Sequence, residues 1–135
     1  MKQRDHPRLQ AATPGTTLHE PRLLGTWRSD KARTLAHWRH EKELSAAARE
    51  HFASLFGKLT LHYSASHITS IFEDCQDSHP YRVLAQDATS VVIQSYHPLL
   101  QRDTLQQIFF EADACYMLSG YNVEFFMRIP ASDAC

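Results

Sequence analysis

The sequence predicts a mostly β fold: a closed eight-stranded antiparallel up-and-down barrel with a one- or two-helix insertion between strands one and two. Three observations lead there. From Lys58 onward, seven short segments rich in β-branched and aromatic residues alternate with period two. A further apolar segment, LLGTW at 23–27, precedes them and runs at once into a strongly helical stretch. The connections are short polar turns, and an eight-stranded meander tends to close because closure removes its exposed edges.

Residues 1–21 mix charge with Pro7, Pro14, Gly15 and Thr16 without periodicity and read as a flexible N-terminal arm. The barrel domain is expected over 22–130, followed by a short tail at 131–135. After Trp27, the stretch DKARTLAHWRHEKELSAAAREHFASLFG carries Asp30 as an N-cap and Gly57 where a helix end wants positive φ. Leu35 and Trp38 form one apolar stripe, and Leu44, Ala48, Phe52 and Leu55 form another. At 3.6 residues per turn the two stripes are rotated apart by roughly a quarter to a third of a turn. Two short helices, with a break between Lys42 and Ser45 and Ser45 capping the second, fit better than one rod. The strands that follow are KLTLHY, HITSIFE, YRVLAQ, SVVIQSY, TLQQIFF, CYML and VEFFMRI.

Facing can be read from the turns. A two-residue turn at Ala65-Ser66 pairs His62 with Thr69 and Thr60 with Ile71, leaving Leu59, Leu61, Tyr63, Ile68 and Phe72 on the apolar inner face. His62 and His67 then point to solvent or lie under the helical segment. A turn at Asp87-Ala88 gives two choices. Either Arg82, Leu84, Val91 and Ile93 face inward, which puts a guanidinium inside the barrel, or Tyr81, Val83, Val92 and Gln94 do. An interior Arg82 requires a protein acid or a ligand carboxylate as partner. In the last strand Val123, Phe125, Met127 and Ile129 look like the core set, unless Arg128 reaches Trp27, in which case Glu124 and Phe126 line the interior. Glu124 and Arg128, on one face of the same strand, are expected to form a structural ion pair.

Composition narrows the function classes. Lys and Arg number 14 against 15 Asp and Glu, with no basic cluster interleaved with aromatics, so neither nucleic acid nor an anionic membrane is expected as a partner. The N-terminus lacks the apolar core of a secretory signal, and nothing approaches the roughly 20 apolar residues of a membrane helix. Cys75, Cys115 and Cys135 show no paired spacing, so free thiols in a cytoplasmic setting are expected.

Gly25-Thr26-Trp27 in the first strand and Arg128 in the last, within FFMRI, resemble the lipocalin and fatty-acid-binding (calycin-like) superfamily of barrels. The chain is also similar to small bacterial lipocalin-like proteins. The resemblance implies that Trp27 plugs one barrel end with Arg128 packed across its indole, a cation–π contact of about 0.5–2 kcal/mol. It implies that Gly25 frees the sharp strand bend beside it, and that the helices form a lid. By the same analogy an interior arginine would hold a ligand carboxylate. The expected function is non-covalent binding of a small hydrophobic or carboxylate-bearing molecule by walls at Tyr63, Phe72, Leu84, Phe110 and Phe126, with Arg82 or Arg128 as polar anchor. The alternative is a packed barrel acting as a protein-interaction or structural module. A second copy of the chain is a candidate partner.

Catalytic and metal readings find little. His37, His40 and Glu41 share one helical face, but no further ligand accompanies them and no H-E-x-x-H occurs. His97, at a strand end, is a weak haem candidate. Neither a metal nor a cofactor is expected. Cys75 sits in EDCQDSH, where surrounding carboxylates blunt a thiol's reactivity. The four glycines are scattered, so no phosphate-binding loop is present. No catalytic residue is assigned, and an enzymatic role would need an inward acid or base such as Glu124.

Overall fold

The period-two segments form strands whose side chains alternate between an inner and an outer face. In chain order the strands are β1 (Gln10–Ala11), β2 (Gly25–Ser29), β3 (Leu59–Tyr63), β4 (His67–Phe72), β5 (Cys75–Gln86), β6 (Ser90–His97), β7 (Arg102–Glu111), β8 (Ala114–Ser119) and β9 (Asn122–Ile129). The computed structural model describes residues 10–11, 18–39, 44–97, 100–119 and 122–130. From β2 to β9 each strand pairs antiparallel with the next, and β9 returns to β2 with Trp27 opposite Arg128. The eight-stranded closed barrel is the architecture the alternation predicted.

The up-and-down order gathers the start of β2 and the β3–β4, β5–β6 and β7–β8 turns at one end. We call this the closed end, because a 3-10 turn at Pro21–Leu23 folds across it and buries Leu23 completely. The core fills the barrel from there upward, through Trp27, Phe126, Ile108, Val91, Ile93 and Cys115, each at most 1% exposed. Part of the expected arm is built into this end. Gln10 and Ala11 pair with Gln86 and Ala85, and Leu18 bridges Val83, along a stretch of β5 that β4 does not reach. Residues 1–9, 12–17 and the tail at 131–135 lie outside the described residues.

Two helices occupy the insertion. α1 (Lys31–His37) is capped by Asp30, whose carboxylate accepts from Arg33 N at 3.1 Å. It ends at His37, ahead of the break expected between Lys42 and Ser45; residues 40–43 lie outside the described ones. α2 (Ala46–Ala53) is capped by Ser45, as its sequence predicted. Gly57 does adopt positive φ, at +86°, but in the turn after α2 rather than directly at its end.

The lid expectation is corrected for α1. It lies against the outer wall of β9, where buried Thr34 accepts from Phe125 N at 2.9 Å and the Arg33 guanidinium covers the Phe125 ring at 4.5 Å. At the other end of the insertion, the rings of Trp38, Phe52 and Phe56 cluster with centroids 5.1–5.2 Å apart.

Two register expectations are also corrected. Asp87 does not occupy the turn: it precedes it and caps it, accepting from Thr89 N and Ser90 N, so Gln86 pairs with Val91. An irregularity between Val83 and Ala85 then shifts the ladder by one. Tyr81, Val83, Val91 and Ile93 consequently all face the core, which mixes the two alternatives. In β9 the inward set is Glu124, Phe126 and Arg128. Met127 is 41% exposed, while Phe125 is buried on the outer side beneath α1.

Candidate functional site

The interior divides into a sealed half and an open half. In the sealed half the Trp27 indole donates from Nε1 to the Leu23 carbonyl at 2.9 Å, and the Arg128 guanidinium lies over the ring at 4.2 Å. Arg128 also donates to the carbonyls of Leu24 and Arg22, two acceptors the 3-10 turn brings to the closed end. Arg22 lies over Phe110 at 4.6 Å and donates to Glu20 and to the Asp87 and Ala88 carbonyls. Every charge here has a partner, which lets Glu20 stay ionised although it is buried, while Arg22 is half-buried and Arg128 exposed at the barrel end. Gly25 has φ +117°, and a Cβ there would stand 2.9 Å from Arg128 Nη1.

The open half is built from the same strands, one layer further from the plug. Ser29 follows Trp27 on the inner face, Glu124 precedes Phe126, and Gln106 precedes Ile108. Met117 lies opposite both Glu124 and Ile108, and Gln106 Nε2 reaches its Sδ at 3.0 Å. Ser29 Oγ donates to Glu124 Oε2 at 2.9 Å and accepts from Gly57 N at 3.1 Å, tying β2, β9 and the end of the helical insertion together. Glu124 Oε1 meets no donor among the described residues. Burial pushes the Glu124 carboxyl above its ordinary range, an effect the Ser29 hydrogen bond partly offsets.

Toward the mouth the inner face carries Ser70, Asp77, His79, Ser95 and Thr104. All of these except Asp77 are partly exposed, and Asp77 is exposed outright, although their register turns them into the barrel. His79 pairs with Asp77 at 2.8 Å.

The residues expected to line a pocket fall mostly elsewhere. Tyr63 is 2% exposed and packs edge-on against Tyr81 in the sealed half; burial raises its phenol pKa. Phe110 and Arg128 belong to the plug, and Phe126 is fully enclosed beside it. Leu84 sits at the ladder irregularity, half-buried. Phe72 faces inward by register but is 37% exposed near the mouth. Arg82 lies on the outer face, where its Nε donates to Gln94 at 2.7 Å, so it anchors nothing inside the barrel. It lines two surface depressions of about 200 Å³ each, one beside Gln94, Tyr96 and Asp103, the other between β5 and the Leu18–Leu24 segment. The expected Glu124–Arg128 ion pair is replaced by separate partners for each.

Other candidates are placed as follows. His37 accepts or donates at the Arg33 carbonyl and packs on Phe125, while His40 and Glu41 lie outside the described residues. His97 Nδ1 accepts from Leu100 N at 3.3 Å. Cys75 is exposed at the β4–β5 turn. Cys115 is locked in the core, its thiol pushed up to about 12 by burial. No helix among the described residues is long and apolar enough to cross a membrane.

Ser29 and Gln106 are the site residues sequence reasoning missed. Their signal was present: each is the polar residue two places from a core aromatic or isoleucine on the same strand face. Comparison with protein-family models, with curated proteins and with solved structures finds no match to this chain.

Proposed function

We propose that this barrel binds a small molecule with an apolar body in its open half, in the manner of the lipocalin and fatty-acid-binding superfamily. One observation carries the reading. Ser70, Thr104, Gln106 and Glu124 face the barrel interior by register, yet solvent still reaches them. Side chains that point inward and remain wet line a space that protein atoms do not fill. Filled barrel interiors, by contrast, dry their inner face. Met117, 6% exposed, would form the apolar floor of that space, with fully buried Ile93 and the plug below it. Gly25, Trp27 and Arg128, the residues carrying the superfamily resemblance, serve to seal the opposite end so that entry is from one side. The reading assigns no chemistry to these residues.

A solution NMR titration of the full chain with decan-1-ol tests this. Amide shifts are expected at Ser29, Ile93, Gln106, Met117 and Glu124. Absence of saturable shifts, or shifts confined to Arg82, Gln94, Tyr96 and Asp103 on the outer wall, overturns it. Native mass spectrometry of protein purified from its own host provides the ligand itself.

A further inference from the structure

The polar floor of the open half indicates what kind of ligand it takes. Resting on the ligand-binding reading above, we propose that the barrel selects an amphiphile whose polar end donates hydrogen bonds, an amine above all, and that Glu124 Oε1 is its acceptor.

The argument starts from what the floor offers. Glu124 is set into the wall between Ser29 and Met117, its Oε2 already satisfied by Ser29. Ser29 Oγ spends its one hydrogen on that carboxylate and its acceptor capacity on Gly57 N. Gln106 directs its amide toward Met117 Sδ. What remains is a carboxylate oxygen on the inner face without a donor among the described residues. Water reaches it, so nothing is violated in the free protein. A ligand that displaces that water must replace its hydrogen bond or forfeit binding energy.

The charges nearby point the same way. The inward guanidinium below this level, Arg128, is committed to the Trp27 face and two carbonyls. Toward the mouth, Asp77 adds a second carboxylate, which is held by His79 and by Ser78 N. Arg102 faces inward by register as well, but it is exposed at the mouth end of β7. Four residues of strand separate it from Gln106, about 13 Å. A carboxylate head at the floor would therefore meet Glu124 with no cation beside it, and like charges in a partly dry site repel. An ammonium head would form a charge-assisted hydrogen bond there, and its alkyl chain would run past Ile68 toward Phe72 and the mouth.

Three probes of equal chain length separate the outcomes: decylamine, decan-1-ol and decanoate, titrated into the full chain at neutral pH below their micelle concentrations. Decylamine is expected to bind about tenfold more tightly than decanol and decanoate more weakly than either. In Glu124→Gln, a near-isosteric change, the advantage of decylamine over decanol should shrink to within about twofold. If all three bind wild type equally, or decanoate binds best, the donor preference is overturned and the ligand-binding reading survives. If none binds, both fall. Should the variant fail to fold, which its melting curve reveals, the wild-type ranking still decides the matter.

Discussion

The two halves of this barrel share eight strands and one alternation, yet they handle polarity in opposite ways. At the sealed end the charged groups are bracketed: Arg128 by an indole and two carbonyls, Arg22 by Glu20, Phe110 and two further carbonyls. The side chains between them are enclosed, with Leu23 and Trp27 at 0% and 1% exposure. One layer up, the inward positions become Ser29, Gln106 and Glu124, shorter or polar, and water returns at Gln106 and Glu124 while Ser29 stays buried. The difference teaches that a barrel's inner face is not uniformly core. Where large rings and paired cations stack, it is a stopper; where small and acceptor groups follow them, it is the wall of a space.

If that division is real, substitutions in the two halves should differ sharply. Trp27→Ala should have the largest effect, about 3–5 kcal/mol of unfolding free energy, because it removes the central ring of the stopper and leaves Arg128 without its stacking partner. Urea denaturation measures it, and a loss below about 1 kcal/mol would mean the sealed end is not a core at all. Gly25→Ala should follow at about 1–3 kcal/mol, since it forces an alanine to φ +117° and thrusts a Cβ against a guanidinium that is itself held by the Leu24 carbonyl. Gln106→Leu, an inward change of similar size in the open half, should move stability by no more than about 0.5–1 kcal/mol in either direction, as solvated positions do. A loss there as large as at Trp27 would erase the contrast.

Much of the sealed half was legible in the chain. The resemblance carried by Gly25, Trp27 and Arg128 points to the ring–cation stack that the structure contains. The β3–β4 hairpin is equally readable, because only one face of it is apolar. β9 is not, and the reason is physical. α1 packs on its outer side, so Phe125 is buried beneath Arg33 and His37 while Phe126 is buried inside. A strand covered on both faces loses the alternation that reports facing. Outward stacking of Phe109 on Tyr116, and of Tyr116 on Phe125, extends the same ambiguity across β7 and β8. At Asp87 the obstacle is different. Its carboxylate can sit within a turn or cap one, and beyond it an irregularity between Val83 and Ala85, which no residue type announces, shifts the ladder by one and moves Arg82 from inside to outside. The Glu124–Arg128 pairing fails for want of competition in the sequence reading: nothing local reveals that carbonyls 104 and 106 residues away claim the guanidinium first.

The smallest expected effect probes the open half most directly. Burial holds the Glu124 carboxyl above its ordinary range in the folded protein, whereas the unfolded chain restores the usual value. The fold therefore binds this proton more tightly than the unfolded chain does. Stability contributed by protonated Glu124 is present at acid pH and is lost as pH rises through the raised folded value. Glu124→Gln removes that titration while keeping a group that can still accept from Ser29. The variant should match wild type in melting temperature near about pH 4 and melt slightly higher near about pH 7, the other groups cancelling in the difference. A variant that melts lower at neutral pH would show instead that a cation holds Glu124 ionised in the folded state. The open half would then be as fully paired as the sealed one, and its free acceptor would not exist.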